Sequence, residues 1–274
     1  MPELPEVETI VRNLRRGNGA SPLPGQRIER VTIRWPRHIA EPSVGSFRRR
    51  IRDRAIIDVR RRGKYLVFPL DRSTLLIHLR MSGDLQLTER GAPAGPYDRT
   101  VFHLKSGQQL RFSDARKLGK VFLLDDPEPL LSKLGPEPLD EEFTPQVLSS
   151  RLARHHRALK PLLLDQSFLA GLGNIYTDEA LHLARLHPLR RSDSLNRDEV
   201  KALWQGIREA LNQGLDHNGA SIDWVYRGGD FQNYFRVYQR SGKPCLVCGK
   251  TIERIIVHQR GTHYCPSCQP EAFA

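Results

Sequence analysis

All four cysteines of this chain fall in its last thirty residues, as Cys245-x2-Cys248 and Cys265-x2-Cys268 with sixteen residues between the pairs. No other feature limits the local fold so tightly. Each CxxC turn presents two thiolates to one side of a tetrahedron, and two turns complete a four-sulfur zinc site. Four protein ligands leave no open position, so one Zn2+ ion is expected to hold structure rather than do chemistry. Two disulfides are the competing arrangement. They are disfavoured because the N-terminus is acidic where a secretory signal would be basic and then apolar, which points to a reducing cytoplasm. Between the cysteine pairs, residues 251–257 read as a strand and 258–262 as a turn, which would hold Arg260 at the tip of a rigid β-hairpin.

The charge points to a polyanion. Forty-three Lys+Arg stand against 31 Asp+Glu, a formal net charge of +12 over 274 residues. Nucleic acid is the most economical partner for such a chain. A basic membrane-surface protein is the rival class, but no apolar run approaches a bilayer span and no basic amphipathic helix dominates, so no membrane partner is expected. The length allows two or three folded units.

The hydrophobic period changes along the chain. Val7, Ile10, Val11 and Leu14 make one helical face. From about 26 to 124 the pattern is of short, closely spaced strands, including 64–70, 74–79, 101–104, 109–112 and 120–124, as in a β-sandwich or barrel. A stretch rich in Asp, Glu and Pro follows and reads as a linker. Thr144-Pro145 and Asn196-x-x-Glu199 then open helices. Between them a glycine turn, Gly171-Leu172-Gly173-Asn174, runs into a helical segment at 178–183 and would present backbone N–H groups to an anion.

The chain begins Met1-Pro2-Glu3-Leu4-Pro5-Glu6. A small second residue permits removal of the initiator methionine, which would leave Pro2 with a free secondary amine. Such an amine can attack an electrophilic sugar carbon and form an iminium, by the logic of a Schiff-base lysine. Glu3 is placed beside it to donate or accept a proton. The bland reading is helix-start punctuation, since Pro5, Glu6 and Glu8 all suit a first helical turn.

Six ordered motifs bring these pieces together: the start 1–9, Arg61-Arg62-Gly63-Lys64-Tyr65-Leu66, residues 77–83, residues 134–139, residues 171–176, and the cysteines around Gln259-Arg260-Gly261-Thr262. On them the chain resembles the bacterial formamidopyrimidine-DNA glycosylases over essentially its whole length. The resemblance implies an α+β protein. A β-sandwich carrying the terminal helix would span 1–125, a linker 126–139, a helical helix–two-turn–helix (H2TH) domain 140–235, and a four-cysteine zinc finger 236–274. Double-stranded DNA with oxidised bases or abasic sites would lie in a basic cleft, bound by a cytoplasmic monomer. Pro2 resembles the family's nucleophile on C1′, and Glu3 its proton donor. Lys64, His78, Asn174 and Arg260 match positions that grip phosphates around an extruded nucleotide. Met81 and Arg116 match residues that fill the vacated space. Leu118 stands where the family commonly carries an aromatic wedge. The implied activity is excision of oxidised purines followed by strand cleavage.

Two alternatives differ in kind. The endonuclease VIII branch prefers oxidised pyrimidines and usually has Gly where this chain has Leu4. A zinc-containing DNA-binding protein without chemistry would not need Pro2, Glu3 and Lys64 intact.

Overall fold

The computed structural model describes every residue except 18, 20, 90, 223–225, 227 and 272–274. The chain divides into two compact units, Met1–Ser132 with Ala220–Gly229, and Lys133–Gly219 with Asp230–Ala274. Residues 140–235, which the sequence reading keeps together, are thus shared between the units.

The first unit opens with helix α1 (Leu4–Arg16), which buries Leu4, Val7, Ile10, Val11 and Leu14 on one face. It continues through β1 (Ile28–Ile33), β2 (Ile39–Glu41), α2 (Val44–Ile51), β3 (Arg60–Arg62), β4 (Tyr65–Pro69) and β5 (Thr74–His78). Strands β6 (Gly83–Thr88), β7 (Asp98–Leu104), β8 (Gln109–Asp114) and β9 (Lys120–Leu124) follow, and then the short α3 (Glu128–Leu131). One sheet has the order β1-β7-β8-β6 and the other β2-β9-β5-β4-β3. Both are antiparallel except for the β2–β9 pair. In β4, Leu66 and Phe68 point inward and alternate with half-buried neighbours, the period of two that a sandwich requires. They join Phe102, Phe112, Val121 and the inner face of α1 in a single core. The basic run Arg60-Arg61-Arg62 is the edge strand β3, where charge discourages pairing with another chain.

The second unit contains α4 (Pro145–Leu152), α5 (Leu159–Leu163), α6 (Asn174–Leu183), α7 (Arg197–Asp216) and the hairpin of β10 (Glu253–Val257) and β11 (Arg260–Tyr264). Thr144 caps α4 by accepting from Val147 N–H at 3.3 Å. Asn196 and Glu199 close a capping box on α7, with N···O distances of 2.9 and 2.8 Å. The glycine turn feeds directly into α6, whose first residue is Asn174, four residues before the expected helical segment. Among the described residues, no helix is long and apolar enough to cross a membrane.

Candidate active site

Pro2 and Glu3 sit at the head of α1, Pro2 buried and Glu3 only 2% exposed. Glu3 is the N-cap residue, and its backbone N–H donates to Glu6 Oε2 at 2.7 Å. The other oxygen of Glu6 accepts the Ala220 N–H, also at 2.7 Å. One buried carboxylate therefore fixes the backbone at Glu3 and the start of the 220–229 segment. Within that segment Tyr226 is buried, and desolvation together with the nearby Glu6 charge pushes its phenol pKa well up. The family resemblance would place a lid loop within 220–234, a stretch that lies partly outside the described residues.

Lys64 occupies the two-residue turn between β3 and β4 and is 5% exposed. Helix α1 packs on β3 and β4, and Arg61 of β3 reaches Glu8 of α1 at 3.2 Å, so the Lys64 hairpin is tied to the helix that Glu3 caps. His78 ends β5 opposite Tyr65, whose ring it meets edge-on at 4.7 Å. The ladder thus brings Lys64 and His78 to the same end of one sheet.

His78 carries a specific chemical state. Its Nδ1 accepts the Arg80 N–H at 3.0 Å, so in the neutral ring Nε2 carries the proton and is the donor. Burial, then the charges of Arg80 and Lys64, lower its pKa to about 3. The ring is a neutral hydrogen-bond donor at working pH. A stability consequence follows. Between the folded value of about 3 and the unfolded value of about 6.5, the unfolded chain holds a proton that the folded chain does not. Stability from this site is present above the unfolded value and is lost as pH falls through that window. His78→Gln is expected to flatten this part of the acid loss, read as a smaller drop in Tm than the parent shows between about pH 7 and pH 4.

Met81 is half-buried in the turn at 80–82, whereas Arg116 and Leu118 are exposed on the loop between β8 and β9. Side-chain hydrogen bonds join the two segments through Ser82 and Asp114.

In the second unit, Asn174 Nδ2 donates to the Gly261 carbonyl at 2.9 Å. The same carbonyl accepts from Lys160 Nζ at 3.1 Å. Lys160 is fully buried and paired with the buried Asp178 at 2.5 Å. The second oxygen of Asp178 accepts the His263 N–H at 2.9 Å. The finger hairpin is thereby clamped to α5 and α6 one residue beyond Arg260, whose side chain stays exposed. The tight turn is His258-Gln259 alone, with φ of 46° and 62°, and Arg260 pairs with Val257 as the first residue of β11. Arg260 is therefore one step from the tip the sequence suggested. Gly261, within the stretch read as a turn, is a strand position where a Cβ would lie 2.9 Å from Arg254 Nη2. Lys160, Asp178 and Asp114 were given no role in the sequence, and Glu6 only that of a first-turn acid. Glu6 had a signal in the spacing Glu3-x-x-Glu6, and Lys160 in being a lone charge within an apolar run.

The four cysteine sulfurs lie within 4.8 Å of one another. Cys245 to Cys268 is 3.9 Å and Cys248 to Cys265 is 3.5 Å. A disulfide needs about 2.05 Å. A tetrahedral zinc with bonds of about 2.3 Å implies sulfur separations near 3.8 Å, which this set matches. Val247 N–H and Cys268 N–H each point at the sulfur two or three residues back, at 3.4 Å, as knuckles around a metal do. His182 Nε2 lies 3.5 Å from Cys245 Sγ and ties the cluster to α6.

Pro2 beside a buried carboxyl at the head of a β-sandwich, in a chain that continues into helices and a four-cysteine finger, fits the class of DNA glycosylases. Residues 1–121 match the formamidopyrimidine-DNA glycosylase N-terminal domain, 134–225 the H2TH domain, and 242–270 the zinc finger found in FPG and IleRS. A formamidopyrimidine-DNA glycosylase of Symbiobacterium thermophilum is 45% identical over 98% of this chain and 90% of its own length. One from Protochlamydia amoebophila is 42% identical over 98% and 99%. The Lactococcus lactis Fpg in complex with abasic-site DNA superimposes with a TM-score of 0.91 at 35% identity, covering 98% of this chain and all of the other. The same protein with Fapy-dG DNA gives 0.90 at 35%, with the same coverage. The chain belongs to the formamidopyrimidine-DNA glycosylase family.

Proposed function

We propose that this chain excises oxidised purines, 8-oxoguanine and formamidopyrimidines, from duplex DNA and then cuts the strand at the resulting abasic site, as a bifunctional glycosylase and lyase of base excision repair. The observation that carries the reading is Pro2 next to the buried Glu3 at the start of α1, in a chain that matches the family module by module. The match of residues 1–121 favours this branch over endonuclease VIII.

Removal of Met1 frees the Pro2 nitrogen. A free α-amine has a pKa near 8, and the positive end of α1 disfavours its protonation while the first-turn acids oppose that shift. The neutral amine attacks C1′ of an extruded nucleotide. The glycosidic bond breaks, the base leaves with the bonding electrons, and the proton that the Pro2 nitrogen loses balances the one the base takes up. Glu3 gives a proton to O4′ as the C1′–O4′ bond breaks, the sugar ring opens, and an iminium joins Pro2 to C1′. Loss of a C2′ proton expels the 3′ phosphate, and a second elimination expels the 5′ phosphate. Hydrolysis of the iminium then frees Pro2 and leaves a one-nucleotide gap with a phosphate on each side.

Extrusion is required because C1′ is not accessible to the amine in stacked duplex. Lys64, His78, Asn174 and Arg260 hold phosphates, and Met81, Arg116 and Leu118 enter the gap. Phosphate contacts set register and carry no sequence information. Cys245, Cys248, Cys265 and Cys268 would hold one zinc, which supplies rigidity to the Arg260 hairpin. The protein acts in the bacterial cytoplasm on nucleoid DNA, as a monomer.

The charge states make a distinction that can be measured. Arg260→Ala is expected to reduce the slope of log affinity against log salt by about 0.9, the release of one counterion. His78→Gln should weaken binding with no change in that slope, because the ring carries no charge. Duplex titrations at several salt concentrations read both; equal slopes for parent and Arg260→Ala would remove the phosphate role.

A further inference from the structure

The loop 115–119 is exposed at its crest and densely bonded at its base. Its crest is Arg116, Lys117 and Leu118. At its base Asp114 is completely buried, and four donors converge on its carboxylate. Oδ1 accepts from Ser82 Oγ at 2.5 Å and from Arg116 N–H at 3.2 Å. Oδ2 accepts from Gly119 N–H at 2.7 Å and from His38 Nε2 at 3.2 Å. Ser82 Oγ accepts the same Arg116 N–H at 3.0 Å. The group thus joins the two ends of the loop to the turn that carries Met81, and both to His38. His38 is itself buried and stacked on Phe112 at 4.6 Å.

A second set of contacts holds the loop from the side. Lys117 has φ of 61°, and its ammonium sits 4.4 Å from the centre of the Trp35 ring. Lys120 Nζ donates to the Arg37 carbonyl at 2.9 Å. The short segment 35–38 is therefore a bracket along the loop. At Gly119 a Cβ would meet Phe112 Cζ at 2.3 Å, so the loop lies directly on the core ring.

We propose that Asp114 is a positioning residue for extrusion: it locks the turn at 80–82 and the loop 115–119 into one preformed mount, braced by Trp35 and His38, that carries Met81, Arg116 and Leu118. The proposal rests on the gap-filling role given to those three residues above. A side chain that enters a base stack must offset unstacking, and a loop that orders only on entry loses conformational entropy at that moment. A preformed mount has already lost it on folding. Rigidity matters more here because Leu118 offers a base no aromatic face.

Asp114→Asn is the sharp test. It keeps the size but replaces one acceptor oxygen with an NH2 that faces donors. Excision would be followed on a duplex with 8-oxoguanine opposite cytosine and 2-aminopurine beside the lesion, and strand cleavage on a single-stranded abasic oligonucleotide, which has no gap to fill. The expected result is that the 2-aminopurine rise and the excision both slow by about tenfold, as an unsatisfied buried group implies, while cleavage of the single strand is unchanged. Equal loss on both substrates, or loss on neither, would overturn the proposal. Lys117→Ala, an exposed change that leaves the core alone, should give the same split at smaller size and decides the matter if Asp114→Asn does not fold; no split there overturns it too. Leu118→Ala combined with Arg116→Ala separates the two levels. If that double variant excises like the parent, the gap-filling reading itself fails. If it is slow while Asp114→Asn is not, the mount alone fails.

Discussion

Glu3→Gln is expected to slow lesion excision by about 10²–10⁴-fold, the usual worth of a positioned general acid. The affinity for lesion duplex should stay close to that of the parent. The two effects separate because Glu3 is 2% exposed at the head of α1 and carries no positive charge with which to hold phosphate. Gln keeps the shape and can still accept a hydrogen bond, so the N-cap and the Glu6 contact to the Glu3 N–H survive. What is lost is a transferable proton. In kinetic terms single-turnover excision should fall while the Kd for a non-cleavable lesion duplex does not move, the pattern of an interaction made only in the transition state. Parallel losses of rate and affinity would instead mean that Glu3 supports the fold of the N-terminus.

Cys248→Ser is expected to abolish zinc binding and take the finger's order with it. The finger's own buried cluster is Val237, Cys245, Ile252 and Cys265, with Cys268 packed against it. Such a cluster is far too small to order a segment of this length without a staple. A structural zinc contributes on the order of 10–16 kcal/mol to folding in isolated finger peptides, more than the stability of most domains. Cys248 is exposed, so its replacement removes a ligand without opening a cavity in that cluster. The clamp of Asn174 and Lys160 on the Gly261 carbonyl would lose its acceptor, and Arg260 its mount. The expected readings are no zinc by metal analysis, weaker DNA binding, and slower excision, with the β-sandwich still folded by circular dichroism. A zinc-free protein with full activity would sink the scaffold role of the metal.

Much of this was legible in the sequence because the signals are local. Pro5 and Glu6 mark the start of α1, Thr144-Pro145 that of α4, and Asn196 with Glu199 that of α7; each is a cap whose partners lie within a few residues. The strands at 65–69, 74–78 and 120–124 followed from composition and turn spacing. The cysteine cluster followed from spacing alone. What was not legible depends on contacts distant in sequence. The parallel β2–β9 pair joins residues about eighty positions apart. The return of 220–229 to the first unit rests on Glu6 accepting a bond from Ala220. Asp114 looks like any turn aspartate until Ser82, His38 and Gly119 converge on it. The displaced tip of the finger hairpin had a different cause. His258 and Gln259 adopt positive φ without glycine, and Gly261 is a strand residue of β11.

The most direct test of the account is borohydride trapping. The purified protein, its N-terminus verified by mass, is incubated with duplex DNA carrying 8-oxoguanine opposite cytosine and then reduced. The account predicts a covalent protein–DNA adduct that maps to Pro2. An adduct on a lysine, or tight lesion binding with neither adduct nor strand cleavage, would contradict it.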